Sequence, residues 1–339
     1  MTPDQVDQIL TSYIRQNLSP RKPERDTVAK RYEQLKGFLP GQTFQNGSYA
    51  RHTSTTPVND LDVFYVLPES VRMLVVEARI KPEDLTIVNI LQDLAKALQV
   101  EYGNEAKIDV QPHSVGIFFG SKQEFSIDVV PAQPAADGLY WVPESALRSV
   151  RSRRALYESK PTPGLRWIKS DPQGYINQAT TLDNATNGVF RKAAKFIKKW
   201  NRGCKNDDEM FPLKSFHLEI VVTELLKKNR ALSCLDLVGR LFPLLSALIT
   251  RPQYVDKADS TRYIDAYVSA LSIGERALVA EEQKRAITFI GQMNAAGSEA
   301  KVLLAIEELL RLATRENEEN PAITSTPRVS PAYSKPYRG

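Results

Sequence analysis

Gly47-Ser48, Asp60-Leu-Asp62 and Phe125-Ser-Ile-Asp128-Val are the parts of this chain whose residue types and spacing could do chemistry. Asp60 and Asp62 stand two apart at the start of an apolar run, Leu61 to Leu67, rich in Val, Phe and Tyr. Such a run predicts a strand. Side chains alternate faces along a strand, so both carboxylates point one way and Leu61 and Val63 the other. Asp128 sits in a second strand-like run, Phe125 to Val130. If the two strands are neighbours, three carboxylates converge on one patch. Like charges so placed repel, and a counter-ion removes the cost. Hard divalent cations take oxygen ligands, and Mg²⁺ binds one or two carboxylates together with substrate phosphates. Two such ions stabilise the attacking and leaving oxygens of a phosphoryl displacement. The chemistry on offer is two-metal nucleotidyl transfer, with Asp60, Asp62 and Asp128 as catalytic and metal-holding candidates. Asp-x-Asp alone is common in surface turns, so the combination carries the reading.

The elements that must position these residues are read from periodicity. Residues 3–18 place Val6, Leu10 and Ile14 four apart, a helix broken by Pro20 and Pro23. Residues 24–37 predict a second helix, ended by Gly37 and Pro40. Asp84 to Val100 repeats Leu85, Val88, Leu91, Leu94 and Leu98 at helical spacing. Val115–Phe119 and Phe125–Val130 read as strands joined by a short turn at Gly120-Ser-Lys, which would put Asp128 inside a sheet. Residues 131–183, rich in Pro, Gly and Ser, read as a long crossing segment. From Asn184 to Asn317 the pattern is helical. Strands first and helices second predict an α+β chain with two lobes. The expected organisation is a catalytic lobe with N-terminal helices over 1–165, a helical lobe over 166–316 and a disordered tail over 317–339. That tail has four prolines and little apolar content.

Composition bounds the partners. A length of 339 residues exceeds the usual single core. A net charge of +5 fits an anionic ligand but does not argue for duplex binding. Two cysteines and three histidines cannot supply a zinc site of the usual spacing. Scarce cysteine fits a reducing, cytoplasmic compartment, and no secretion signal is visible at the N-terminus. The greasiest stretch, Leu235 to Ile249, is too short and too polar to span a membrane.

A basic amphipathic helix is expected over Asn187 to Trp200. Arg191, Lys195, Lys198 and Arg202 recur at four, three and four, forming one cationic stripe flanked by Lys192 and Lys199. A stripe of this kind is either a solvated face or a seat for an anion such as a nucleoside triphosphate. Downstream, Ser215 reads as the N-cap of the next helix. His217 reads as an ordinary helix residue.

Together these motifs resemble a known family. Gly47-Ser48-Tyr-Ala-Arg51-x-Thr53, Asp60-Leu-Asp62-Val and Ile-Asp128-Val-Val-Pro131 are similar to the oligoadenylate-synthase-like and cyclic-GMP–AMP-synthase-like nucleotidyltransferases. Trp167-x-x-Ser170-Asp171-Pro172, Phe196-Ile-Lys198-x-Trp200-Asn201 and Lys214-Ser215-Phe216-x-Leu-Glu219 look like the bacterial branch, the cGAS/DncV-like CD-NTases of CBASS anti-phage systems. The resemblance covers about residues 40–230. It implies a polymerase-beta-like catalytic lobe, a helical lobe and an active site in the cleft between them. It implies synthesis of a cyclic di- or trinucleotide second messenger from nucleoside triphosphates, ATP among them, with pyrophosphate released and two Mg²⁺ or Mn²⁺ ions bound. Asp60 and Asp62 would hold both ions and Asp128 the one that activates the attacking hydroxyl. Gly47 and Ser48 would cradle the donor triphosphate, and Lys198, Lys195 and Ser215 would contact phosphates from the helical lobe. The animal enzyme's zinc insertion is missing here, which argues against activation by duplex DNA. Some operons of this type encode ubiquitin-conjugation-like enzymes that join the synthase's C-terminal glycine to a target, and the tail ending at Gly339 resembles such a substrate. Two rival readings remain open: a related transferase acting on an RNA end or a protein, and a catalytically silent scaffold.

Overall fold

The computed structural model describes residues 1–70, 90–120, 125–145 and 165–312. The expected helical residues 84–89, part of the Gly120 turn and the tail 317–339 lie outside them. In chain order the elements are α1 (Pro3–Tyr13), α2 (Lys22–Phe38), β1 (Gln42–Asn46), α3 (Gly47–Ala50), β2 (Asp60–Val66) and α4 (Ile90–Tyr102). Then come β3 (Ala106–Val110), β4 (Val115–Phe119), β5 (Phe125–Pro134), β6 (Tyr140–Ser145) and β7 (Leu165–Ser170). The helical part holds α5 (Pro172–Ala185), α6 (Val189–Asp207), α7 (Ser215–Lys228), α8 (Cys234–Leu241), α9 (Ile273–Ala295) and α10 (Glu299–Leu310), with short helical turns between α8 and α9.

The sheet runs β1-β2-β5-β4-β3, with β6 paired to the end of β5 and β7 to β6. β2 and β5 are parallel, and every other pairing is antiparallel. One face is apolar because the strands alternate. Leu61 and Val63 on β2, and Ile127 and Val129 on β5, are all fully buried. They pack with Val28 and Leu35 of α2 and Leu91 and Leu98 of α4 into one core. A second core gathers Phe190, Phe196 and Trp200 of α6, Leu218 and Val222 of α7, Leu237 of α8 and Ile306 of α10.

The α+β expectation holds, with corrections. The stretch 131–183 is not a structureless crossing: it carries the end of β5, then β6, β7 and most of α5. The boundary at 165/166 would cut β7 from its first residue, although β7 pairs along β6 as part of the sheet. Val6, Leu10, Ile14 and Leu18 belong to the helical core, so the first helix packs away from the sheet. An amphipathic helix joins whichever apolar surface lies opposite its stripe, whatever its place in the chain. Among the described residues no helix is long and apolar enough to cross a membrane.

Trp200 anchors the helical core, edge-on to Phe211 at 5.7 Å and to Phe242 at 5.1 Å between ring centroids. Its indole Nε1 is buried with no hydrogen-bond partner. Trp200→Ala is therefore expected to lower the unfolding free energy by about 3–5 kcal/mol. Trp200→Phe should cost much less, because it removes an unsatisfied donor along with the lost area. Urea titrations of both variants check the difference.

Candidate active site

The site begins with strand register. In the parallel β2–β5 pair, Asp62 stands opposite Asp128 and Asp60 opposite Ser126. Registered neighbours share a face, so the three carboxylates lie on the face opposite Leu61, Val63, Ile127 and Val129. On the other side of β2, Asn46 of β1 pairs with Asp62, and the chain turns directly into α3 at Gly47. Gly47 has φ +67°, the left-handed region. A Cβ placed on it would sit 1.6 Å from Asp62 Oδ2. Only glycine lets the backbone turn here and lie against the carboxylate.

Gln111 Nε2 donates to Asp128 Oδ1 at 2.9 Å, and Ser114 Oγ donates to Gln111 Oε1 at 3.2 Å. Asp62 is pushed up to about 6, first by burial and then by Asp60 and Asp128, with Arg51 and Lys198 opposing. Asp128 is pushed up to about 6 by burial and by Asp60. The protein thus holds carboxylates whose charge its own groups do not balance. Among the described residues no three His, Cys, Asp or Glu side chains form a ready-made ion cage. The carboxylate oxygens of Asp60, Asp62 and Asp128 on one face are hard donors of the kind a divalent cation takes.

The facing wall comes from the helical lobe. Lys198 of α6 is buried, paired with Glu219 of α7, and donates to Thr53 Oγ1 at 2.9 Å. Arg51 Nε donates to Glu219 Oε1 at 2.5 Å, and Thr53 Oγ1 donates to Oε2 at 2.9 Å. Burial alone would raise the Glu219 carboxyl, but Lys198 and Arg51 hold it down at about 2. Arg202, one turn beyond Lys198, donates to Pro57 O at 3.1 Å. Between the walls lies a cavity of about 430 Å³. Its lining includes Gly47, Ser48, Asp60, Asp62, Lys198 and Arg202. Ser215, Tyr175, Phe216 and Asp256 also line it. Tyr175 and Phe216 meet edge to face at 5.1 Å, and Tyr175 OH donates to Asp256 Oδ1 at 3.3 Å.

The structure thus gathers Gly47, Ser48, Asp60, Asp62, Lys198 and Ser215 around one cavity, with Asp128 beside Asp62 on the sheet face. It does not bring Lys195 there. That amine donates to Ser19 Oγ at 3.0 Å, while Arg191 pairs with Asp183 and donates to Arg51 O. Ser215 is not an N-cap: Lys214 holds that position without a side-chain bond, and Ser215 Oγ accepts from Asn201 Nδ2 at 3.0 Å. His217 is buried, 3.0 Å from Tyr267 OH through Nδ1, away from the cavity. Arg202 was seen as part of the stripe. Arg51 and Glu219 were visible as motif letters without roles. Gln111, Tyr175 and Asp256 carried no signal, since nothing local ties them to the acidic strands.

Comparison with known proteins bears out the resemblance. Residues 5–154 match the family described as the Second Messenger Oligonucleotide or Dinucleotide Synthetase domain. No curated protein matches in sequence. Among solved structures, the chain is similar to CdnC of E. coli MS115-1 with ATP, at 14% identity and TM-score 0.64, covering 90% of this chain and 97% of that one. CdnG of Bradyrhizobium diazoefficiens in complex with GTP gives 12% identity and TM-score 0.61, with 93% and 100% covered. The Vibrio cholerae di-nucleotide cyclase DncV gives 15% identity and TM-score 0.56, with 91% and 81% covered.

The raised carboxyls set a pH dependence. Each has a folded pKa above its unfolded one, so its contribution to stability is full below about 4. That contribution is lost as pH rises through about 6. In ion-free protein at pH 8, Asp62→Asn should therefore melt higher than the parent. A shift from 3.8 to about 6 corresponds to up to ~3 kcal/mol, or up to about 4 °C for a chain of this length. The gain should vanish near pH 4, and Mg²⁺ should raise the parent's melting temperature more than the variant's. Calorimetric scans across pH check this. Gly47→Ala should displace Asp62 and lower turnover at least about a hundredfold in protein whose circular dichroism is unchanged.

Proposed function

We propose that this chain, whose residues 5–154 belong to the Second Messenger Oligonucleotide or Dinucleotide Synthetase domain family and whose fold is that of the bacterial CD-NTases, joins nucleoside triphosphates into a cyclic di- or trinucleotide and releases pyrophosphate. The observation that carries this reading is the Asp62–Asp128 register, with Asp60 on the same face, opposite a cationic wall. ATP is among the proposed substrates, and anti-phage defence is the proposed setting.

Each group has a role set by its chemistry. Lys198 and Arg202 meet the negative charge of the triphosphate, and Ser48 offers a hydroxyl beside the carboxylates. Asp60 and Asp62 would hold both divalent ions, and Asp128 would share one of them. When bound, these ions offset the charge on the attacking and leaving oxygens. Gln111 fixes Asp128 through Oδ1, which leaves Oδ2 for the site. Tyr175 and Phe216 supply flat apolar surface for a base in the cavity. The site thereby holds attacking and leaving groups in one orientation, the largest lever open to a transfer reaction.

Incubation with labelled triphosphates and Mg²⁺ or Mn²⁺, then phosphatase, tests the proposal. A small, phosphatase-resistant product is expected. Label on RNA or on protein would point instead to the macromolecule-modifying relatives, and no turnover under any condition to a scaffold. Asp60→Asn should lower the rate roughly a thousandfold or more, which is ~4 kcal/mol of barrier. Asp128→Ala should be equally slow yet still bind triphosphate in calorimetry, because Ser48, Lys198 and Arg202 remain.

A further inference from the structure

β7 has two sides, and only one faces the catalytic cavity. Ser170 lines that cavity, whereas Lys169, the preceding residue, lines another of about 510 Å³. Trp167 and Ile168 line this second space as well. In the β6–β7 pair, Trp141 stands opposite Lys169 and Pro143 opposite Trp167. Registered neighbours in an antiparallel pair share a face. Trp141, Trp167 and Lys169 therefore rise from the same side of the hairpin. The helical lobe closes this space with the loop carrying Ser260, Thr261 and Arg262.

We infer that this outer cavity is a second nucleotide site, which takes a nucleobase joined to a phosphate. The volume falls within the range of small-ligand sites, about 300–1,000 Å³. Indole rings beside cations form the combination on which bases stack and phosphates are neutralised. The ammonium of Lys169 lies 5.4 Å from the Trp141 ring centroid. Such a contact is weak at an exposed site, so the amine can leave the ring for a phosphate as a base takes its place. Arg262 is anchored to Glu144 at 3.5 Å, which holds a second cation at the rim. Asp259, the one acid among the described lining residues, accepts on Oδ1 from the backbone N and Oγ1 of Thr261 at 2.9 and 2.7 Å. The Trp167 Nε1 is buried without a hydrogen-bond partner. An uncharged aromatic ligand would leave Lys169 unused, and a simple anion would leave the indoles unused.

This inference does not rest on the reading of the catalytic cleft. The test uses the full chain with Mg²⁺ and a saturating non-hydrolysable ATP analogue, so that any cleft site is filled. AMP and a single-stranded tetra-adenylate are then titrated in by calorimetry, and 8-azido-AMP is photocrosslinked and mapped by mass spectrometry. A saturable event is expected, with crosslinks within 140–145, 165–170 or 258–262. Trp141→Ala should weaken it at least tenfold and Lys169→Glu at least fivefold, while Trp141→Phe, which keeps a stacking face, stays within threefold of the parent. Tighter binding of AMP identifies a free nucleotide as the source, and tighter binding of the tetra-adenylate a nucleic-acid strand. Absence of a saturable event, crosslinks elsewhere, or equal affinity in Trp141→Ala would each overturn the inference.

Discussion

Glu219 is a carboxylate removed from water, and the alignment of the two walls depends on it. It is 3% exposed and accepts from Arg51 and Thr53, on the catalytic side, and from Lys198, on the helical side. Taking charges out of water is costly, and one pair seldom does more than offset that cost. Here two cations share one carboxylate, and a hydroxyl fills a further acceptor position. The cluster keeps a net positive charge beside the cavity. Its value lies in placement: Arg51 and Lys198 are both long and flexible, and the shared carboxylate fixes their heads. Loss of Glu219 would leave two buried cations without their shared counter-charge, the expensive way to break such a network.

A second constraint couples to the first. Gly47 must be glycine because Asp62 occupies the space of its Cβ. Asp62 must face that way because Leu61 and Val63 are committed to the core. Asp128 must lie beside it because the same alternation commits Ile127 and Val129. The three carboxylates are thus packed together by the apolar residues between them, and the raised carboxyls record the opposing cost. A site that destabilises its own fold is common where function needs strain or charge.

These particulars show what was legible in the chain. β2, β4 and β5 could be read because each is an apolar run, and β2 and β5 carry their acids at fixed parity with it. β3 could not: Lys107 and Asp109 alternate with half-buried positions on a sheet edge, and the strand is only five residues long. β6 and β7 hide behind Pro143 and behind proline-rich surroundings, and only their mutual register makes them strands. The face of α6 was legible, its reach was not. Arg191, Lys195, Lys198 and Arg202 do share a stripe, but it runs about 16 Å along the axis at 1.5 Å per residue. The cavity meets only its C-terminal half, where Lys198 and Arg202 stand. Periodicity fixes the angle around a helix; position along it is set by what the fold brings opposite, in this case Ser19 for Lys195.

The cavity is therefore bipolar, with acids on the sheet wall and cations on the helical wall. Each wall is costly alone: Asp62 and Asp128 resist ionising, and Lys198 and Arg51 share Glu219 as their one carboxylate. A divalent ion relieves the first wall and brings repulsion toward the second. A triphosphate relieves the second and brings repulsion toward the first. On the proposed reading, only the two together satisfy both walls. Ion and triphosphate then favour each other's binding by the same factor, as linkage requires. On that reading, the metal–nucleotide complex, rather than either component, is the species whose charge matches both walls.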